Sequence, residues 1–145
     1  MRLYYTQHSP QLQNTVVLLH GMGSCGDDWA LQIPALAERY RVITPDMRGH
    51  GQSGKPPGSY SIAHMADDVI ELMDELKIES AHVAGLSMGG CIALQLAIAH
   101  ANRVRSAVIV NSTTRSGKGV WMKDVPFTTR SHTARHPVRK APSNR

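Results

Sequence analysis

The chain holds only two cysteines, Cys25 and Cys91, and a single phenylalanine among 145 residues. It has no apolar run near the length of about 18 residues that a membrane span needs. The richest stretch, Cys91 to Ala99, is interrupted by Gln95 and ends at His100. Neither a disulfide-stapled module nor a membrane association is expected. The chain does not open on a basic segment followed by an apolar one, which predicts a reducing, cytoplasmic setting. There is no C-x-x-C and no H-E-x-x-H, and the eight histidines are dispersed, so no metal site is expected.

What is present is the composition of a folded domain: 41% hydrophobic and 19% charged residues, enough apolar surface for one core. The net charge of +5 is unevenly placed, because residues 1–114 carry a net of −2 and residues 115–145 a net of +7. Residues 115–145 contain no Leu or Ile, and Pro126, Pro137 and Pro142 interrupt any long helix there. This predicts a folded unit over 1–114 and a basic tail, or the start of an incomplete lid, over 115–145. The tail could touch phosphates without selectivity, with Trp121 and Phe127 alone available for stacking. In the absence of any nucleic-acid fold signature, a solvated tail is the favoured reading and no specific nucleic-acid partner is expected. The sequence carries no signature of oligomeric state.

Across residues 1–114, apolar runs bounded by turn residues alternate with stretches of helical period, the pattern of an α/β fold with a mostly parallel sheet. Strands are predicted at Leu3–Thr6, Thr15–His20, Arg41–Pro45, Ala81–Gly85 and Val104–Val110. A helix is predicted through Trp29, Ile33, Leu36 and Tyr40, with Pro34 starting or kinking it. Ile62, Met65, Val69, Met73 and Leu76 mark a second, capped by Ser61, with Asp67, Asp68, Glu71 and Glu75 on its solvated face. Met88–His100 is apolar nearly all round and predicts a helix buried within the fold.

Gly85-Leu86-Ser87-Met88-Gly89-Gly90 lies between a predicted strand and a predicted helix. A turn that tight admits only small residues around a serine, whose hydroxyl is pushed out above the sheet as a nucleophile. The N–H of Met88, at the start of the helix, suits a developing oxyanion. His20-Gly21-Met22-Gly23 follows a strand and offers a second donor, the N–H of Met22. His20 itself reads as a loop-fixing hydrogen bonder. Asp46-Met47-Arg48-Gly49-His50-Gly51-Gln52-Ser53 reads as a rigid scaffold loop.

Together these strings, in this order, resemble the α/β-hydrolase superfamily from about Leu3 to Ser112, most closely its serine-nucleophile branch of esterases, lactonases and carbon–carbon bond hydrolases. The resemblance implies an α/β-hydrolase fold and a small-molecule acyl substrate, with no cofactor. It makes Ser87 the nucleophile and places the backbone N–H groups of Met22 and Met88 in the oxyanion hole. In this family an acid and then a histidine follow the serine, each after a later strand. After Ser87 the chain has only Asp124 as acid, and His100, His132 and His136 as histidines. The 33 residues after Ser112 are too few for the intervening strand and helix units of about 30 residues or more each. The expectation is therefore the N-terminal part of a hydrolase, truncated before its acid and base and weakly active or inactive by itself. Val120-Trp121-Met122 could open a lid.

One further reading belongs to another class. Gly21-Met22-Gly23-Ser24-Cys25-Gly26 spells G-x-G-x-x-G after a strand, with Asp46 twenty residues beyond Gly26, as in an NAD(P)-binding oxidoreductase. Asp27 and Asp28 oppose it, since they put negative charge where a pyrophosphate would sit.

Overall fold

A computed structural model describes residues 1–112. Five strands, β1 (Tyr5–His8), β2 (Thr15–Leu19), β3 (Arg41–Pro45), β4 (Ala81–Leu86) and β5 (Val104–Val110), form one sheet in the order β1-β3-β2-β4-β5. Only β1 runs antiparallel to its neighbour. The helices are α1 (Ile33–Ala37), α2 (Ile62–Glu75) and α3 (Met88–Ala99). The expected α/β-hydrolase architecture, a mostly parallel sheet with flanking helices, is thus present over these residues.

β2 is buried at every position because both faces of the sheet are covered. Val17 and Leu19 join Ile43, Val83, Met65, Val69, Met73, Ile92 and Leu96 in the main core. Val16, Leu18 and Val42 pack on the opposite face against Trp29, Ile33, Leu36 and Tyr40. The twofold alternation of strand side chains turns one continuous apolar run into two half-cores.

Four expectations need correction. The first strand begins at Tyr5 rather than Leu3 and reaches His8. Its register pairs Tyr5 with Pro45, the end of β3, so the residues before it have no strand to lie against. Leu3 enters the core instead. The stretch from Trp29 to Tyr40 is not one helix: a 3₁₀ turn at Gly26–Trp29 precedes the five-residue α1, with Pro34 in its first turn, where a missing N–H costs nothing. α3 buries Met88, Gly89, Gly90, Ile92, Ala93 and Leu96 but emerges at its end, with Ile98 71% exposed. Asp68 is not solvated. It is 1% exposed and forms a two-point ion pair with Arg48, at 2.5 Å to Nε and 2.6 Å to Nη2. Its position, three residues after Met65 and four before Leu72, lies inside the apolar stripe.

Ser61 caps α2 as expected, its hydroxyl accepting from the His64 N–H at 3.1 Å. Ser61→Ala is expected to lower stability by about 1 kcal/mol, read as a shift in urea midpoint. An unchanged midpoint would show that water replaces the cap at no cost. Asp124, His132, His136, Trp121 and the rest of the segment 115–145 lie outside the described residues.

Candidate active site

Between β4 and α3 the backbone reverses at Ser87, which has φ 52° and ψ −112°. An L-residue in that region is strained, and such strain persists only where surrounding bonds over-determine it. Here the Ser87 N–H donates to the Val110 carbonyl at 2.9 Å, and the Ser87 carbonyl accepts from Gly90 N at 3.0 Å and Cys91 N at 3.2 Å. Two glycines are sterically required. A Cβ on Gly85 would overlap the Gly89 backbone, and one on Gly89 would strike the Leu19 and His20 carbonyls. The first lets the turn close, and the second lets α3 start against the end of β2. The Ser87 side chain is left exposed, whereas Met88 turns into the core at 5% exposure.

Pairing of Leu19 with Gly85 sets the loop after β2 beside the elbow. A side chain built at Gly21 would lie 3.8 Å from Ser87 Cβ, so the chain entering Met22 passes next to the serine. Met22 is partly buried against the main core. The three expected site residues, Met22, Ser87 and Met88, therefore stand on two adjoining loops at the same end of the sheet. Burial pushes the Cys25 thiol up, so it stays protonated near neutral pH.

His20 is fully buried, and its hydrogen bonds define its tautomer. Nε2 accepts from the Met47 N–H at 2.9 Å, so the proton resides on Nδ1, which donates to the Gly21 carbonyl at 2.7 Å. Both nitrogens are occupied in fixing the loop, as the sequence led us to expect. Burial pushes His20, and also His50 beside it at 5.1 Å between ring centroids, below the ordinary histidine value. The unfolded chain therefore binds protons that the folded chain refuses, and stability is fully present above about pH 6.5 and lost as pH falls below it. Urea midpoints at pH 7.5 and 5.5 should differ in that direction, above the range in which carboxylates titrate. A flat profile would contradict neutral, buried imidazoles.

Asp46 organises the third loop. Its Oδ1 accepts from Gly26 N and its Oδ2 from Gln52 N, both at 2.8 Å, and its carbonyl accepts from the Ser53 hydroxyl at 2.5 Å. The scaffold reading of residues 46–53 holds, with Arg48 directed to Asp68 rather than to its near neighbour Asp46. The same bonds correct the dinucleotide reading. The Gly26 N–H that a pyrophosphate would need is donated to Asp46, the acid is 4% exposed, and the four-residue 3₁₀ turn that starts at Gly26 carries Asp27 and Asp28. Among the described residues, no group of three or more His, Cys, Asp or Glu could hold a metal ion, and no helix is long and apolar enough to cross a membrane.

A family model for the alpha/beta hydrolase fold matches residues 14–140. The chain belongs to this family. It is 41% identical over 116 residues to RutD of Caulobacter vibrioides, a candidate carbamate hydrolase, covering 78% of this chain and 43% of that protein. Among solved structures, it is similar to the enol-lactonase from Burkholderia xenovorans at 38% identity and a TM-score of 0.76, covering 79% of this chain and 45% of that one. It is also similar to a thermophilic esterase from Thermogutta terrifontis, at 30% identity and a TM-score of 0.76, covering 81% and 43% respectively. The chain spans less than half the length of the curated relatives it matches.

Proposed function

We propose that this chain supplies the nucleophile and oxyanion hole of a serine hydrolase acting on an ester, lactone or related small acyl substrate. The carrying observation is the strained Ser87 between β4 and α3, exposed and set beside the Gly21–Met22 loop. Ser87 Oγ would attack the acyl carbon, the carbonyl oxygen would take up the developing charge, and the N–H groups of Met22 and Met88 would stabilise it. The hydrolase, lactonase and esterase names of the relatives support the substrate class.

Removing the serine proton needs a base, and no side chain among the described residues hydrogen-bonds to Ser87 Oγ. His20 is committed to Gly21 and Met47, and His100 caps the far end of α3. In this reading the acid and the imidazole that complete the triad stand at the ends of later strands, for which the 33 residues after Ser112 are too few, so the 145-residue chain assayed alone is weakly active or inactive. The division into a hydrolase portion at 1–114 and a basic segment at 115–145 is part of the same proposal, supported by the change in charge sign. So is a reducing, cytoplasmic setting, in keeping with a cysteine content of only Cys25 and Cys91.

A fluorophosphonate probe tests the nucleophile. Slow labelling of the 145-residue chain that disappears in Ser87→Ala is the expected result. Labelling that survives the substitution would overturn the assignment.

A further inference from the structure

After β5 the chain turns back over the elbow. Asn111 adopts φ 46°, a left-handed conformation that asparagine tolerates better than most residues, and the next residue, Ser112, lies against the first turn of α3. The Ser112 hydroxyl donates to the Ser87 carbonyl at 2.7 Å. Since its one proton is used there, the 3.3 Å contact between Ser112 Oγ and Cys91 Sγ has the thiol as donor. Gly90 makes room for this arrangement, because a Cβ there would stand 2.6 Å from Ser112 Cβ and 2.8 Å from its hydroxyl.

The carbonyl of Ser87 and the N–H of Met88 belong to one peptide unit, which is planar and rigid. Fixing the oxygen end fixes the direction of the N–H end. A hydrogen bond to the oxygen also polarises the unit and strengthens the N–H as a donor. We propose that Ser112 is a positioning residue that aims the Met88 N–H at the substrate oxygen by holding the carbonyl at the opposite end of the same peptide. The proposal rests on the roles of Ser87 and Met88 given above and adds a residue that no motif in the sequence singles out. Two backbone donors, Gly90 and Cys91, already hold that carbonyl from the α3 side. Ser112 holds it from the β5 side, so the peptide is clamped between a helix and a strand end instead of being free to tilt with the helix.

The test compares Ser112→Val with Ser112→Thr in the intact 145-residue chain, two side chains of the same shape of which only Thr keeps the donor. Two quantities are measured: the amide ¹⁵N–¹H resonance of Met88, and the rate at which a fluorophosphonate labels Ser87, with the phosphonyl oxygen in the oxyanion position. Ser112→Val should shift the Met88 resonance and slow labelling about 10-fold, less than the roughly 10²–10³ that loss of a whole oxyanion donor costs. Ser112→Thr should restore both. Equal labelling rates in the two variants, with or without a shifted resonance, would overturn the proposal while leaving Ser87 as nucleophile. Labelling that persists in Ser87→Ala would remove the nucleophile reading and this proposal with it.

Discussion

When residues 1–112 are joined to the part of the Burkholderia enol-lactonase that this chain does not cover, the hybrid is expected to hydrolyse p-nitrophenyl acetate, and Ser87→Ala to lower its kcat by a factor on the order of 10⁴–10⁶. The size of the effect follows from the division of labour proposed for the site. Without Oγ there is no acyl intermediate, and the Met22 and Met88 N–H groups can only polarise a carbonyl that water must attack unaided. KM should change little, because the hydroxyl contributes little to ground-state binding. The 145-residue chain alone should remain near the buffer background, since no imidazole among the described residues is placed to take the proton of the Ser87 hydroxyl. A hybrid whose turnover survives Ser87→Ala would show that another group attacks. Brisk turnover by the unjoined chain, lost in both Ser87→Ala and His132→Ala, would establish a short triad through Asp124.

The second large effect concerns stability. Arg48→Ala is expected to cost about 3–5 kcal/mol, measured by urea denaturation, because it leaves the carboxylate of Asp68 buried without its two-point partner. Asp68 is 1% exposed, and among the described residues its other cation is the Met1 amino group at 3.6 Å. Asp68→Ala should cost less, because the Arg48 side chain is 17% exposed and can turn its guanidinium toward water. Replacing both together, as Arg48→Met with Asp68→Leu, should recover much of the loss, since well-packed apolar residues often equal or exceed a buried pair. Equal, small costs for the two single variants would show that the pair behaves as a surface ion pair.

Much of this architecture was legible because its signals are local. β2 and β3 are apolar runs ended by turn residues, and burial on two faces removes the alternation that would otherwise blur them, whereas β4 keeps an alternating burial and β5, exposed at the sheet edge, is legible from its β-branched residues. The elbow was legible because its tight turn restricts residues 85, 89 and 90 at fixed spacing. Asp68 was not, because a charge in an apolar stripe reads as solvated until its partner, twenty residues earlier on another loop, is seen to reach it. Ser112 was hidden for a similar reason: its partner lies 25 residues away and meets it through the β4–β5 register, which pairs Leu86 with Val110. The ends of β1 and α1 depend on where neighbouring segments stop, which no local pattern records.

The sheet order also has a consequence for the route by which the chain folds. β2 lies between β3 and β4, and its pairing of Leu19 with Gly85 joins residues 66 positions apart. Such long-range parallel pairing is slow to form, because the intervening chain must be ordered before the contact repays it. The Gly21 loop and the Ser87 turn reach one another only through that pairing. The two halves of the candidate site thus meet late, after the β2–β3 pair and α2 have had time to form, and their juxtaposition reports that the longest loop in the sheet has closed.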